Sequence, residues 1–242
     1  MSSNLGNSFV VPGGIESQSS VPLTQLGSIA VTNDGRKFRY VRAGGTGIAA
    51  GILCQSVTED TTNWENLSVA AAAAGSRTVT TTSTVTLAAN LLAGGYLTVT
   101  TTPGIGYTYK IAGNSVAAAA VVNIYLEDPI VVALTTASKI DVIPDPDGAV
   151  VIFANGTGTH TGNIRGVAVY PLTAYYYGWL QIGGVGTVLG DSNTITVGSC
   201  VVGSKAVDGA VGVQTEVTDP IVGTAITGIA STEYGLVNLQ IG

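Results

Sequence analysis

The sequence predicts an all-β protein: a short-stranded β-barrel or sandwich in two β subdomains, preceded by an extended N-terminal arm. Small and β-branched apolar residues alternate with Thr, Ser and Gly at a period of two, the pattern of half-buried strands. Turn residues break these runs at short intervals, and Gly alone accounts for 33 of the 242 residues, roughly twice its ordinary ~7% share. No segment sustains a helical period.

Residues 1–25 combine Ser, Asn, Gly and Gln with Pro12 and Pro22, and Glu16 is their one charge. Such a segment buries too little apolar surface to order itself alone. It reads as an arm that straps onto a partner by backbone hydrogen bonds, with Phe9, Val10 and Val11 as its apolar contacts.

The strand pattern starts at Leu26. LGSIAVT leads into the turn Asn33-Asp34-Gly35, whose residues tolerate positive φ, and then into RKFRYVRA. There Phe38 and Tyr40 share one face and Lys37, Arg39 and Val41 the other. GIAAGILCQSV follows as a further strand. The polar stretch 58–68, TEDTTNWENLS, reads as a linker or loop, and VAAAAAGSR as one helical turn or a small-residue strand.

Between Arg77 and Lys110 no residue is charged, and Thr alternates with Val, Leu and Tyr around turns at Gly94-Gly95 and Pro103-Gly104. Strands continue through YKIAG, AAAAVVNIYLE, IVVALT and KIDVIP to the turn Asp145-Pro146-Asp147-Gly148, then AVVIFAN. After the loop NGTGTHTGN come VAVYPLTAYYYGWLQIG and a last third of short strands with Gly turns. Asp219-Pro220-Ile221 echoes Asp128-Pro129-Ile130, too briefly to establish duplication. The expected division is 26–57 plus 178–242 as one β domain, with 68–170 inserted or adjacent.

Composition narrows the function. Nine Lys+Arg against 15 Asp+Glu give a net charge of −6, the opposite of the basic face a nucleic-acid binder carries. No run approaches the ~20 apolar residues of a spanning helix, and no signal peptide is evident, so synthesis in a cytoplasm without membrane insertion is expected. His160 is the single histidine, which leaves little material for an enzyme, and no cofactor is expected. Gly190-Asp191-Ser192-Asn193 resembles the nucleophile block of GDSL-type esterases, but the Asp that such enzymes place just before the base is missing near His160. Asp141, Asp145 and Asp147 before Gly148 lack the distal Glu of a calcium loop, and Ser204 in GSCVVGSK stands where a phosphate-binding Lys belongs. Cys54 and Cys200 read as small hydrophobes in a reducing compartment, with a disulfide between them left open.

Two clusters stand out as partner-binding candidates. Arg36, Lys37, Arg39 and Arg42 hold four of the nine basic residues; they read as a charged face that blunts a strand edge, or as a contact for an acidic partner. Tyr175, Tyr177 and Trp179 form the densest aromatic group and would share one strand face, packing in a core or subunit interface. With so few charges, a lone monomer would leave long neutral edges uncovered, so permanent assembly is expected.

DGRKFRYVRAGG…IAAGILCQS, AGGYLTVTTTPGIGYTYKIAGN…YLEDPIVVALTTAS and YYYGWLQIGG…TVGSCVVGS…PIVGTAITGIAST resemble structural proteins of tailed bacteriophages, in particular the head decoration or capsid cement class. The resemblance covers most of residues 26–242. It implies a β-rich homotrimer on the capsid exterior of the virion, clamping adjoining major capsid protein subunits against the pressure of packaged DNA, with the arm engaging the shell. It transfers no catalytic residue. The alternatives are a tail or fibre component binding a host glycan, and a GDSL-like hydrolase using Ser192 and His160.

Overall fold

The computed structural model describes residues 14–118, 121–155 and 161–242. Strands take up 43% of the chain and helix 2%, and one of the two main sheets curls into a half-barrel while the other is nearly closed. The all-β architecture follows from the alternation itself: Thr78–Thr82 and Lys139–Ile143 both bury every second residue.

The chain forms two units, Glu59–Pro146 and a terminal unit made of the segment up to Thr58 together with Asp147–Gly242. The terminal unit opens with β1 (Ile29–Val31), β2 (Lys37–Arg42) and β3 (Leu53–Gln55). The inserted unit holds α1 (Thr61–Trp64), β4 (Leu67–Ser68), β5 (Thr78–Thr82), β6 (Thr86–Leu87), β7 (Tyr96–Val99), β8 (Thr108–Asn114), β9 (Ala117–Ala118), β10 (Val121–Leu126) and β11 (Lys139–Ile143). The chain returns with β12 (Val151–Ile152), β13 (Ile164–Ala168), β14 (Tyr177–Leu189), β15 (Cys200–Gly203), β16 (Val211–Val213), β17 (Ile221–Ala225) and β18 (Tyr234–Gln240).

The observed boundaries correct the expected ones. Residues 147–170 belong to the terminal unit because β12 and β13 both pair with β3. The stretch 58–68 is not a plain linker. Asp60 caps α1 by accepting from the Asn63 amide, and Trp64 is buried in the inserted unit's core. The five alanines form no helix; Ala72 sits in an extended bridge with Leu134.

In the inserted unit the strand order is β4-β11-β7-β8-β10-β5, and a bridge from Val69 to Thr81 links the two ends of that order. Val79, Leu97, Ile111, Ile124 and Ile140 point inward and are fully buried, each stabilising the fold by about 1.5–3 kcal/mol. In the terminal unit the order is β12-β3-β13-β14-β18-β17-β15-β16, with β2 pairing β14 and β1. β14 is shared along its length: its first half pairs β2, its second half β18, and the handover is at Gly183.

One hydrogen-bond pattern recurs three times. Ile48 with Leu172, Ala72 with Leu134, and Ile195 with Ile229 each exchange both backbone hydrogen bonds. In each, the glycine three residues on (Gly51, Gly75, Gly198) has positive φ and donates to the residue four before the partner (Ala168, Ile130, Ala225). That residue donates in turn to the one after the glycine, which makes a G1 bulge that aims the following chain back along the sheet. The equivalence pairs Ile130 with Ala225, so the Asp-Pro-Ile echo in the sequence lies out of structural register.

Candidate functional site

The structure brings the basic and aromatic candidates together. β2 and β14 are antiparallel neighbours with Arg42 opposite Tyr177, Tyr40 opposite Trp179 and Phe38 opposite Gln181. β2 is therefore not an edge strand, because β1 pairs its other side. The edge-blunting reading of its charges is corrected accordingly.

Between the two strands the rings pack. Tyr40 stacks on Tyr177 at 6.2 Å and meets Trp179 at 5.0 Å with a tilt of 59°. Phe38, Tyr40, Trp179 and Ala30 form a buried cluster bordered by Ile15, Leu26, Val169 and Tyr177. Trp179 Nε1–H is buried with no acceptor among the described residues.

Tyr175 departs from the expected shared face. It lies before β14 in a left-handed backbone, φ +66°, and is 58% exposed. Tyr177 and Trp179 do share a face, through their common packing on Tyr40.

The described part of the arm is bound to its own unit. Ser19 exchanges both backbone hydrogen bonds with Tyr177, at 3.0 and 2.8 Å, and Gln18 Oε1 accepts from the Thr173 amide at 2.7 Å. The Tyr40 hydroxyl accepts from the Leu23 amide at 3.0 Å. Phe9, Val10 and Val11 lie outside the described residues.

The basic residues fall into different environments. Arg36 pairs with Asp34 at 2.7 Å and lies 5.6 Å from the Phe38 ring centre. The Asp34 carboxyl is held below its usual range by hydrogen bonds from Thr32 and Arg36. Lys37 is exposed at the start of β2. Arg39 donates to the carbonyls of Arg165 (3.4 Å) and Gly242 (2.9 Å). Burial, and then the Arg165 charge, hold the Arg39 guanidinium below its ordinary range, while Asp147 acts the other way. Arg165 forms a two-oxygen ion pair with Asp147 at 2.6 Å, nearly out of solvent. Arg42 donates through Nε to the Tyr175 carbonyl at 3.2 Å, with the Tyr175 and Tyr177 ring centres 5.2 and 5.8 Å from its Cζ.

Beside this surface a cleft of about 390 Å³ is lined by Glu16, Arg36, Gln181, Val185, Tyr234 and Leu236, among others. Its walls mix one carboxylate and one guanidinium with neutral polar groups (Gln181, Thr187, Tyr234) and apolar ones.

The remaining motifs resolve into structure. Asp191 accepts from the Asn193 amide and the Ser204 hydroxyl, and Ser192 is exposed in the same turn; His160 lies outside the described residues. Asp141 accepts from the Asn66 amide in the inserted unit, and Asp147 is the partner of Arg165. Cys54 and Cys200 are free thiols. Burial pushes the Cys54 thiol up to about 12. No group of three or more His, Cys, Asp or Glu side chains converges on a metal position among the described residues, and no helix among them is long and apolar enough to cross a membrane.

Arg165 and Ser19 were not singled out by sequence, and Asp147 was read only as part of a turn and of an incomplete calcium loop. The available signals were weak: a lone Arg in the otherwise apolar β13, and an Asp directly after the Asp145-Pro146 pair.

Compared with known proteins, the chain matches no family model, no curated protein and no solved structure.

Proposed function

We propose that this chain is a virion structural protein, a capsid decoration protein that binds the major capsid protein on the outer surface of a phage head and stabilises the shell against internal DNA pressure. The observation that carries this reading is the character of the outward faces in both units. Val116, Val121 and Val131 of the inserted unit are at least 60% exposed, and Val197 of the terminal unit is 67% exposed. Val116 and Val121 lie in an uncharged run over 114–126, largely Ala, Val and Asn, and Val197 lies between Thr196 and Gly198. Exposed apolar side chains without charged neighbours suit a face that a partner covers. The resemblance of the sequence to head decoration proteins supports the same reading, as does the strand-built fold.

The exposed Tyr175 favours a second reading, a tail or fibre component whose aromatic ring stacks on a host glycan.

The test adds the purified chain to heads that lack it, followed by co-sedimentation and by DNA release on heating. Saturable binding and a raised release temperature support decoration. Chain left in the supernatant contradicts it. The arm's part is read from a variant lacking residues 1–13. Deletion as far as residue 24 would also strip the Ser19 and Leu23 contacts from Tyr177 and Tyr40 and disturb the fold.

A further inference from the structure

The cleft beside β14 holds a buried acceptor with nothing to accept from. Gln181 is only 2% exposed, and its Nε2 donates to the carbonyls of Gly183 at 3.0 Å and Val185 at 2.9 Å. Two carbonyl partners fix which end of the amide is nitrogen. Oε1 is therefore turned away from them. It receives no donor among the described residues and is not sealed, and the open space beside Gln181 is the cleft. Glycine keeps the approach clear, since a Cβ on Gly186 would lie 3.0 Å from Oε1. An immobilised acceptor left without a hydrogen bond costs stability, so a donor belongs there.

The same wall offers hydrogen-bond donors. The Ile182 carbonyl accepts from the Ile241 amide and the Gly190 amide donates to the Glu233 carbonyl, so Gly184, Gly186 and Val188 between them face β18. The N–H groups of Val185 and Thr187 lie on the opposite edge. There β2 has ended at the pair of Lys37 with Gly183, and the next backbone contact among the described residues is Leu189 with Gly51. An added strand would need the carbonyls of this edge, and Gln181 already occupies two of them. The wall therefore suits a compact ligand and not a further strand. Tyr234, Leu236 and Val185 add exposed apolar surface. The Tyr234 ring lies so close to Gly51 that a Cβ there would be 2.5 Å from its Cε1.

We propose that this cleft binds a neutral sugar ring. One hydroxyl donates to Gln181 Oε1, neighbouring oxygens accept from the Val185 and Thr187 N–H groups, and the C–H face packs on Tyr234 and Leu236. A sugar hydroxyl both donates and accepts, as the wall requires. A carboxylate has no hydrogen for Oε1, and an ammonium has no lone pair for the N–H groups. The two charges in the cleft, Glu16 and Arg36, are of opposite sign, and Arg36 is already paired with Asp34, so neither sign of ligand is favoured. The volume of about 390 Å³ is at the small end of the roughly 300–1,000 Å³ usual for small-molecule sites. Tyr175 does not line this cleft, and the site does not rest on the decoration role.

The test is saturation-transfer NMR of the full-length chain with the methyl glycosides of glucose, galactose, mannose and N-acetylglucosamine. At least one binds with a millimolar Kd. Removing the hydroxyl that meets Oε1, found by comparing the deoxy analogues of the tightest binder, weakens binding to wild type by about tenfold or more. Parent and analogue bind alike to Gln181→Leu, because the acceptor is gone. Thr187→Trp and Tyr234→Ala each weaken binding by about tenfold or more, while Tyr175→Ala leaves it within about twofold. Near-ultraviolet circular dichroism checks folding, and the variants at exposed Thr187 and Tyr234 decide the matter if Gln181→Leu unfolds. Four results overturn the proposal: no binding of any of the glycosides, unchanged binding in Thr187→Trp, loss of binding in Tyr175→Ala with Tyr234→Ala unaffected, or displacement of the sugar by acetate or methylammonium. Head binding is measured separately. Sugar binding without head binding would refute decoration and leave this site standing, and the reverse would refute the site alone.

Discussion

Replacing Asp147 by Asn tests the nearly buried ion pair of the terminal unit. Asp147 is the first residue after the inserted unit, and its carboxylate takes the Arg165 guanidinium through Nε at 2.9 Å and Nη2 at 2.6 Å. The side chains are only 7% and 16% exposed, and Arg39 adds a second, half-buried positive charge nearby. The Asn variant keeps the shape but leaves two guanidinium groups without that carboxylate. Breaking a buried pair from one side costs about 3–5 kcal/mol; the residual exposure of Arg165 places this case near the lower end, about 3 kcal/mol. With a urea dependence of about 1–3 kcal/mol/M, the midpoint of the terminal unit's transition should fall by about 1–3 M. Asp147→Asn with Arg165→Met should recover most of the loss, because no charge of the pair then stays buried and unpaired. A single-variant loss below about 1 kcal/mol, the value of a surface pair, would refute the reasoning.

Three further outcomes follow from other parts of the fold. Gly223→Ala places a Cβ 2.1 Å from the Asn238 carbonyl oxygen, which is backbone and cannot swing aside, whereas Gly198→Ala meets nothing within 4 Å and carries only a left-handed φ of +82°. Urea unfolding should show a loss of about 3 kcal/mol for the first and about 1 kcal/mol for the second; equal losses would contradict the geometry. With its thiol pushed up to about 12 and fully buried, Cys54 should not react with a disulfide reagent at pH 8 in the native protein. Cys200, half-buried, should react, giving one thiol equivalent before denaturation and two after; two before would count against the burial of Cys54. Lys205 meets Asp219 at 2.7 Å, and its hydrogen bond holds the Asp219 carboxyl below the ordinary 3.8, while the same bond raises the Lys205 ammonium above 10.5. The stabilisation is thus complete from about pH 4 to about pH 10 and is lost as pH falls through the lowered carboxyl value or rises through the raised ammonium value. The stability gap between wild type and Lys205→Met should be flat across that window and narrow at both ends, and a gap independent of pH would exclude the pair as its source.

What could be read from sequence was local. The alternation in TVTTT, YLTV and VVNIYL fixes which side chains enter the barrel core, because a strand turns successive residues to opposite faces. The facing of Phe38 and Tyr40 against Val41 was legible for the same reason, and they occupy different buried clusters. Long-range pairing was not legible. Nothing near Val151 or Ile164 distinguishes a strand that will join β3, some hundred residues back, from one that will join its sequence neighbours. Tyr175 escaped the pattern because its left-handed backbone interrupts the alternation just before β14 begins at Tyr177. For the candidate site, the residue types were visible in the sequence; their juxtaposition depends on the β2–β14 register, which no short motif encodes.

A reconstruction of the intact particle, with heads carrying and lacking this chain, tests the decoration role most directly. Strand-rich density on the outer face of the head, present only with the chain and seated where capsid subunits adjoin, is the expected result. Density confined to the tail or fibres, or heads identical with and without the chain, would contradict it.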